Sequence, residues 1–271
     1  MKVIISHDVD HLYSTEHLFD GVQVKYAARA ILERMNGVLS NQEFGWRIKD
    51  LFHNQWHHID ELMDFDQLIG IPSTFFFAMA KGKGLNYSQA ALAPVIKRVI
   101  ERGFEVGVHG IDFQNQDLIN SEFNQFKKLT GKSDFGIRMH YLRMDENSLG
   151  KFDQVGYLFD SSEYAVKAPY KIGNMWEFPL QIMDSNEFYQ GNSVQKEKIE
   201  GIIIKTRNRI LKLEQENIPY LTLLFHDRYY CDAYQSYRQW YESIVTFLSE
   251  NGHEFVGYKQ AITELLQKEI Q

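Results

Sequence analysis

Acidic and imidazole side chains follow the ends of short apolar runs in this sequence, and they are the side chains that could do chemistry. The first run ends in Asp8 and Asp10, and two later runs end in His109 and His226. Because side chains alternate along a strand, Asp8 and Asp10 project to one face. Two adjacent carboxylates disfavour each other's ionisation unless a cation or a shared proton compensates. The spacing therefore predicts a metal site or a catalytic acid/base pair at the end of the first strand.

A fourth run carries Arg138 and His140, again two residues apart. A buried arginine usually pairs with a carboxylate, so Arg138 is expected to pair with Asp8 or Asp10. A single histidine at a strand end is more often a hydrogen-bonded structural residue than a metal ligand. In a parallel barrel, however, the carboxyl ends of all strands share one mouth. We therefore expect these polar side chains to converge there.

The elements that would position these residues alternate between short β-branched or aromatic runs and longer helical patterns. The predicted strands are Lys2–Ser6, Thr74–Ala78, Glu105–Val108, Ile137–Tyr141, Tyr157–Phe159, Leu221–Phe225 and Glu254–Tyr258. The predicted helices are Ile59–Ile69, Ser88–Arg102, Gln116–Leu129, Glu146–Val155, Val194–Glu216, Tyr234–Glu250 and Tyr258–Glu269. The alternation favours a parallel sheet in an α/β fold, and the apolar strands indicate burial on both faces. A (β/α) barrel is preferred to an open doubly wound sheet.

The first crossover is unusually long, with roughly sixty residues between Asp10 and Ser73. It contains a helical pattern over Val22–Met35 together with aromatic residues such as Trp46 and Trp56. We expect a helical lid or subdomain at about 13–56, inserted in a single domain that spans 1–271. Loops at the carboxyl ends of barrel strands carry active sites, so this insertion would wall a substrate cleft. Alternatively, its aromatic residues pack only a small core of its own.

The composition excludes several classes of protein. The sequence has 29 lysine and arginine residues and 36 aspartate and glutamate residues, so its net charge is 29 − 36 = −7. This acidic balance argues against a protein that binds the phosphates of nucleic acids. The N-terminus lacks the apolar core of a signal peptide, and no apolar stretch is long enough to span a membrane. The lone Cys231 requires no oxidising compartment. We therefore expect a cytoplasmic protein whose metal ligands, if present, are nitrogen and oxygen.

The order of these motifs resembles that of the polysaccharide deacetylases of the NodB-homology type, carbohydrate esterase family four, in the Asp-x-Asp form. Five segments of the sequence stand in the family's order. They are His7-Asp8-Val9-Asp10, Gly107-Val108-His109, Gly136-Ile137-Arg138-Met139-His140-Tyr141, Asp160-Ser161-Ser162 and Leu224-Phe225-His226. The resemblance covers most of the chain outside the first insertion, and it implies a deformed (β/α) barrel of about seven parallel strands.

The resemblance also implies a metal site of one Asp and two His, with the histidines four residues apart. Here Phe113 stands at that distance from His109. His140 is the first candidate to replace the missing ligand, followed by His11 and then Asp112. By this resemblance the expected ligands are Asp8, His109 and His140. The expected cofactor is a divalent metal, Zn²⁺ first, with Co²⁺, Ni²⁺ or Fe²⁺ as alternatives.

The implied reaction is removal of an N-acetyl group from a carbohydrate. In it, Asp10 takes a proton from water, His226 protonates the departing amine and Arg138 fixes the base. The residues expected to bind substrate are Tyr141, Trp176 and Asp160. Without a signal peptide, a cytoplasmic glycan precursor carrying a lipid or nucleotide is favoured over a cell-wall polymer.

Two other functions remain open from the sequence. Because the histidine pair is incomplete, the barrel could hydrolyse an amide or another C–N bond by acid/base catalysis without a metal. It could also be a non-catalytic carbohydrate-binding relative. In that case sugar rings would stack on Trp46, Trp56, Tyr141 and Trp176.

Overall fold

The computed structural model describes residues 1–190, 193–194 and 198–269, and most of its strands lie in one sheet. The strands are β1 (Lys2–Val9), β2 (Thr74–Phe77), β3 (Glu105–Gly110), β4 (Ile137–Met139), β5 (Phe159–Asp160), β6 (Tyr170–Ile172), β7 (Met175–Glu177), β8 (Ile182–Met183), β9 (Tyr189–Gln190), β10 (Ser193–Val194), β11 (Tyr220–Leu224) and β12 (Glu254–Phe255). The α-helices are α1 (Val22–Met35), α2 (Asn41–Leu51), α3 (Ile59–Ile69), α4 (Gln89–Glu101), α5 (Gln116–Thr130), α6 (Ser148–Val155), α7 (Asp184–Phe188), α8 (Ile199–Gln215), α9 (Gln235–Glu250) and α10 (Tyr258–Glu269).

The strands form a mostly parallel ring. Along the sheet the order is β7-β5-β4-β3-β2-β1-β11-β8, every neighbouring pair is parallel, and β6 adds an antiparallel edge to β7. The strands β7 and β8 are the two ends of one run over residues 175–183. That run pairs with β5 at its start and with β11 at its end, so the ring of seven strand positions closes. The expected deformed (β/α) barrel is confirmed.

Each predicted strand and helix overlaps an observed one, but some boundaries differ. The helix predicted over Val194–Glu216 begins at Ile199, and residues 195–197 lie outside the described part of the chain. The short strands β6–β10 and the helices α2 and α7 were not predicted. All five of these strands have only two or three residues, too few for a period of two to be visible.

The inside of the barrel changes from apolar to polar along the strand direction. Its apolar end is packed by side chains from five strands and closed by Tyr258 of α10; the strand residues are Ile4, Phe76, Phe159, Trp176 and Tyr220. Trp176 is 5 % exposed at this closed end, so its expected role in sugar binding is corrected. A strand residue two positions earlier or later on the same face lies in another layer of the barrel, and the sequence does not show which layer faces the cleft.

The insertion after β1 begins with a helical turn at Ser14–His17 and continues as the helices α1 and α2. Ser40 caps α2 in a capping box with Glu43, each side chain bonding the other's backbone N–H. The insertion is attached to the barrel by Arg228, which follows β11 and pairs with Asp50 of α2. In the described part of the chain, no helix is long and apolar enough to cross a membrane.

Candidate active site

The strand β1 sets the position of the first acidic residue. Its residues alternate, so Ile4 and Asp8 share the barrel interior while Val9, the last ladder residue, faces the surrounding helices and pairs with Phe77. Asp8 is buried beside the mouth, and Asp10 lies one residue beyond the strand. The two carboxylates line the same cleft, although Asp10 lies beyond the last residue of β1 and is placed by the loop that follows.

Three side chains bring metal-ligating atoms together at this mouth: Asp10, His109 and His140. His109 Nε2 lies 3.0 Å from His140 Nδ1, and Asp10 Oδ1 lies 3.3 Å from the first nitrogen and 3.5 Å from the second. Ligand atoms around one tetrahedral Zn²⁺ at ~2.0–2.2 Å are themselves roughly 3.3–3.6 Å apart. The three distances are therefore close to those of a shared ion.

The hydrogen bonds of the two histidines direct their lone pairs to the same point. His109 Nδ1 lies 3.0 Å from the carbonyl oxygen of Arg138, and His140 Nε2 lies 3.3 Å from that of Lys83. A carbonyl oxygen only accepts, so these two nitrogens carry the protons. The facing nitrogens are then left as acceptors, which is how neutral metal-binding histidines are usually held. Asp10 Oδ1 is buried and has no hydrogen bond of acceptable geometry to the described residues. The donor set fits a divalent cation.

The pKa shifts of Asp10, His109 and His140 agree with a site that binds a cation. Burial opposes ionisation of Asp10, but His109, His140 and His226 together hold its pKa below the usual range. Burial lowers the pKa of His140 to about 4. Burial also opposes protonation of His109, but Asp8 and Asp10 raise its pKa. The space between Asp10, His109 and His140 can thus be filled either by a proton on His109 or by a metal ion.

His140 reaches this point because β4 ends earlier than predicted. The predicted strand Ile137–Tyr141 stops at Met139, and a tight turn follows in which Tyr141 has φ +60° and Leu142 φ +51°. Such left-handed conformations are uncommon for non-glycine residues and concentrate at functional sites. The turn leaves Tyr141 70 % exposed at the cleft, with its ring 4.0 Å from the His140 ring.

Arg138 pairs with Asp8, which is one of the two pairings that the sequence predicts for this arginine. The buried guanidinium donates to Asp8 Oδ1 at 3.4 Å, to Ser6 at 2.7 Å and to Tyr258 at 2.8 Å. Asp8 faces Nδ1 of His109 at 3.8 Å, the nitrogen that already carries a proton. It is not among the three converging ligands. The expectation was that Asp8 binds the metal and Asp10 is the base, but the geometry groups Asp10, rather than Asp8, with the two histidines.

His226 completes the site from β11 and has a partner that sequence reasoning did not assign. Its Nδ1 lies 2.9 Å from Asp184 Oδ1, and its backbone N–H donates to Asp184 Oδ2 at 2.6 Å. Its Nε2 faces Asp10 Oδ2 at 3.9 Å. Burial opposes protonation of His226, but Asp184 and then Asp10 raise its pKa to about 10. Asp184 follows the short β8, and an acidic residue directly after an apolar run was the available signal.

The other expected site residues lie elsewhere or have other partners. Asp160 is buried, accepts from the backbone and hydroxyl of Ser162 and does not line the cleft. Its neighbour Glu177 is also buried, and burial and Asp160 raise the pKa of Glu177 well above its usual value. The expected substrate contact of Asp160 is therefore corrected to a structural one. Asp112 caps the following turn through the backbone N–H groups of Gln114 and Asn115.

His11, the second candidate for the missing ligand, lines the cleft without joining the three converging ligands. Its Nδ1 lies 2.9 Å from His17 Nε2, and His17 Nδ1 lies 2.7 Å from Asp20. The ring of Trp56 stacks on His17. This chain of hydrogen bonds connects the insertion to the mouth of the barrel.

The cleft over these residues has a volume of about 760 Å³. The barrel and the insertion each supply part of its wall. The insertion contributes Asp20, Val22, Lys25, Tyr26, Arg29 and Trp56. The expectation that the insertion walls a cleft agrees with this geometry.

Comparisons with known proteins give structural neighbours only. No protein-family model and no curated protein matches the sequence. A structure from Mycobacterium smegmatis, assigned as a polysaccharide deacetylase, covers 99 % of this chain and 90 % of its own at 14 % identity and a TM-score of 0.67. The PuuE allantoinase covers 96 % and 87 % at 14 % identity and a TM-score of 0.61.

A third neighbour, assigned as a polysaccharide deacetylase from Pseudomonas aeruginosa PAO1, has 13 % identity and a TM-score of 0.61. It covers 97 % of this chain and 89 % of its own. At such identities the likeness establishes the architecture rather than the reaction. The chain has the NodB-like barrel fold of the polysaccharide deacetylases.

Proposed function

We propose that the protein is a metal-dependent hydrolase that removes an N-acetyl group from a carbohydrate. The observation that carries this proposal is the convergence of Asp10, His109 and His140 on one point, between a carboxylate held by arginine and a histidine held by aspartate. Polysaccharide deacetylases among the structural neighbours support the substrate class.

In this proposal Asp10, His109 and His140 hold the divalent ion through one oxygen and two nitrogens. Such a set suits Zn²⁺, and Co²⁺, Ni²⁺ or Fe²⁺ would accept the same ligands. The bound ion supplies a Lewis acid that activates water and polarises the acetyl carbonyl.

Asp8 is the proposed base. It lines the cleft beside the metal ligands, and its contact with Arg138 fixes the direction of the carboxylate. Arg138 itself is locked by Ser6 and Tyr258. Arg138 is therefore a positioning residue, since it acts on the substrate only through Asp8.

His226 is the proposed acid, which donates its Nε2 proton to the departing sugar amine. Asp184 holds Nδ1 and favours the imidazolium, so the ring reaches the cleft with a proton to give. Proton transfer by such a group contributes about 10²–10⁴ in rate. Tyr141, which is exposed and lines the cleft, offers a ring on which a sugar can stack.

A metal-independent C–N hydrolase is the second candidate, and one contact favours it. The 3.0 Å separation of His109 Nε2 and His140 Nδ1 also suits a hydrogen bond if one nitrogen is protonated. The pair could then act in acid/base catalysis on a small amide. The structure gives less support to a binding protein built on four stacking aromatics, because Trp56 and Trp176 are buried.

The test is to measure metal content and acetate release in the same preparation. Purified protein is assayed for bound Zn, Co, Ni and Fe and incubated with N-acetylated oligosaccharides and nucleotide-linked N-acetyl sugars, with and without chelator. We expect stoichiometric metal, acetate release that chelator abolishes, and recovery when metal returns. Turnover by metal-free protein that chelator leaves unchanged and that His140→Ala abolishes would instead support the metal-independent hydrolase, whose acid/base pair includes His140. Sugar binding without any turnover would overturn both.

A further inference from the structure

The insertion exposes an unusual amount of apolar surface. In the described part of the chain, fifteen large hydrophobic side chains are exposed, and seven of them lie between residues 18 and 52. Phe19 is 100 % exposed, Met35 78 % and Val24 72 %. Single exposed apolar residues are ordinary, but a cluster on one segment marks an interaction site.

Most of these side chains lie on one face of α1. At 3.6 residues per turn, Val24, Ile31, Leu32 and Met35 fall within a sector of roughly 100°, together with Ala28. Leu18 and Phe19 precede the first turn of the helix. We call the set Leu18, Phe19, Val24, Ile31, Leu32 and Met35 the α1 apolar surface. The buried residues of α1, Ala30 and Glu33, lie on the opposite side of the helix.

Basic side chains border the α1 apolar surface, and the acidic residue of α1 lies on the buried side of the helix. By the same helical geometry, Lys25 lies along one edge and Arg34 along the other. Among the described residues, neither has a carboxylate within ion-pair distance; Arg34 donates to Asn41. Glu33, the one acidic residue of α1, forms ion pairs with Arg29 and Arg47 on the buried side of the helix.

The remaining acidic residues of the insertion also have partners within the protein. Each of them accepts a hydrogen bond or pairs with a described residue: Glu16 with Tyr13, Asp20 with His17, Glu43 with Ser40 and Asp50 with Arg228. The insertion has five acidic and five basic residues. Along α1 itself, the edges of the apolar surface carry Lys25 and Arg34 and no acidic residue, so the charge along these two edges is positive.

We propose that the α1 apolar surface docks on a membrane surface that contains anionic lipid. An apolar helix face bordered by lysine and arginine is the pattern of helices that lie in the bilayer interface. The basic edges would lie at the headgroups, while Phe19 and the aliphatic side chains enter the acyl boundary. Anionic lipid attracts the basic edges in spite of the net charge of −7 on the whole chain.

A second copy of the chain fits this surface less well. Two copies related by a two-fold axis present the same patch to each other. The basic edges of α1 would then face the equivalent basic edges, and Glu33, the acidic residue of α1, pairs with Arg29 and Arg47 on the buried side. Charge complementarity thus favours a lipid surface over self-association.

The surface lies next to the cleft. Lys25, on one edge of the α1 apolar surface, also lines the cleft, as do Tyr26 and Arg29 on the inner side of the same helix. Docking would therefore place the mouth of the barrel beside the bilayer. The docking itself does not depend on the proposed reaction.

The test is flotation of the full chain with vesicles of phosphatidylcholine alone and of phosphatidylcholine with phosphatidylglycerol. We expect binding to the anionic vesicles that weakens with added salt. The double variant Phe19→Ser/Met35→Ser should bind about tenfold less or weaker, because burying such side chains supplies much of the affinity. Leu68→Ser is the matched control, since Leu68 of α3 is 81 % exposed outside the insertion.

Three results would overturn the proposal. The first is no flotation of the unchanged protein with anionic vesicles. The second is an equal loss in Leu68→Ser. The third is a dimer in light scattering that Phe19→Ser/Met35→Ser dissociates without any vesicle binding, which would assign the surface to self-association. Acetate release from a soluble substrate, measured on the same samples, separates failure of the docking from failure of the proposed reaction.

Discussion

At the scale of single residues, the two aspartates of the mouth have separable roles. Asp10→Asn replaces the charged ligand by a weak neutral one, so we expect loss of stoichiometric metal. Asp8→Asn should keep the metal and lower kcat by about 10²–10⁴, the usual contribution of a positioned base. Elemental analysis and steady-state kinetics of both purified variants measure this difference.

The opposite pattern would restore the assignment expected from the resemblance. That pattern is loss of metal in Asp8→Asn with retention in Asp10→Asn. Because Asp8→Asn leaves the buried Arg138 without its carboxylate, thermal unfolding of each variant shows whether a loss of activity reflects a loss of folding.

The pair of His226 and Asp184 predicts a pH dependence. The folded protein raises the pKa of His226 to about 10, chiefly through Asp184 against the opposing effect of burial. The proposed acid is therefore protonated at neutral pH and loses its proton as pH rises. Asp184→Asn removes the stabilising charge, so the basic limb of the kcat profile should move to lower pH.

Glu187→Gln is the control for that shift. Glu187 also lies on α7, but its carboxylate contacts Arg209 and Thr206, so its removal takes away a negative charge without touching His226. If both variants move the basic limb equally, the effect is one of net charge and not of the contact with Asp184.

At the scale of elements, glycines let the strands approach the aromatic rings of the barrel interior. A Cβ on Gly136, directly before β4, would lie 2.4 Å from atoms of the Phe159 ring. Gly136→Ala should therefore destabilise the fold by about 1–3 kcal/mol, as overpacking does. Urea denaturation measures the change.

Gly150 offers the matched comparison. It lies inside α6, and an added Cβ would meet nothing within 4 Å. Gly150→Ala should stabilise the protein by about 0.5–1 kcal/mol, because alanine favours the helix. Equal effects of the two substitutions would contradict the close packing between Gly136 and Phe159.

At the scale of the whole molecule, the proposed ion connects β1, β3 and the turn after β4. A ligand that binds only the folded state stabilises it by about 2.7 kcal/mol at a hundred times its Kd. For a chain of this length that corresponds to a rise in Tm of roughly 5–10 °C. We expect Zn²⁺ to raise the Tm of the unchanged protein and to leave that of His140→Ala unchanged. Calorimetry with and without chelator measures both Tm values. An equal rise in the unchanged protein and in His140→Ala would mean that Zn²⁺ binds nonspecifically.

Much of the candidate site could be predicted from the sequence because it depends on local periodicity. A period of two placed Asp8 and Asp10 on one face, and the alternation of strands and helices placed His109 and His226 at the same end of the sheet. The cost of burying a guanidinium predicted a carboxylate partner for Arg138. These inferences need only the direction of each strand.

Only the tertiary structure decided which side chains meet. Asp10 lies beyond the last ladder residue of β1, so the loop sets its direction and places it, rather than Asp8, beside the two histidines. Asp184 reaches His226 across the contact of β8 with β11, and Trp176 faces the closed end of the barrel. Periodicity fixes the face that a side chain takes, whereas its neighbours depend on register between strands and on the course of loops, which are set by packing between residues far apart in the chain.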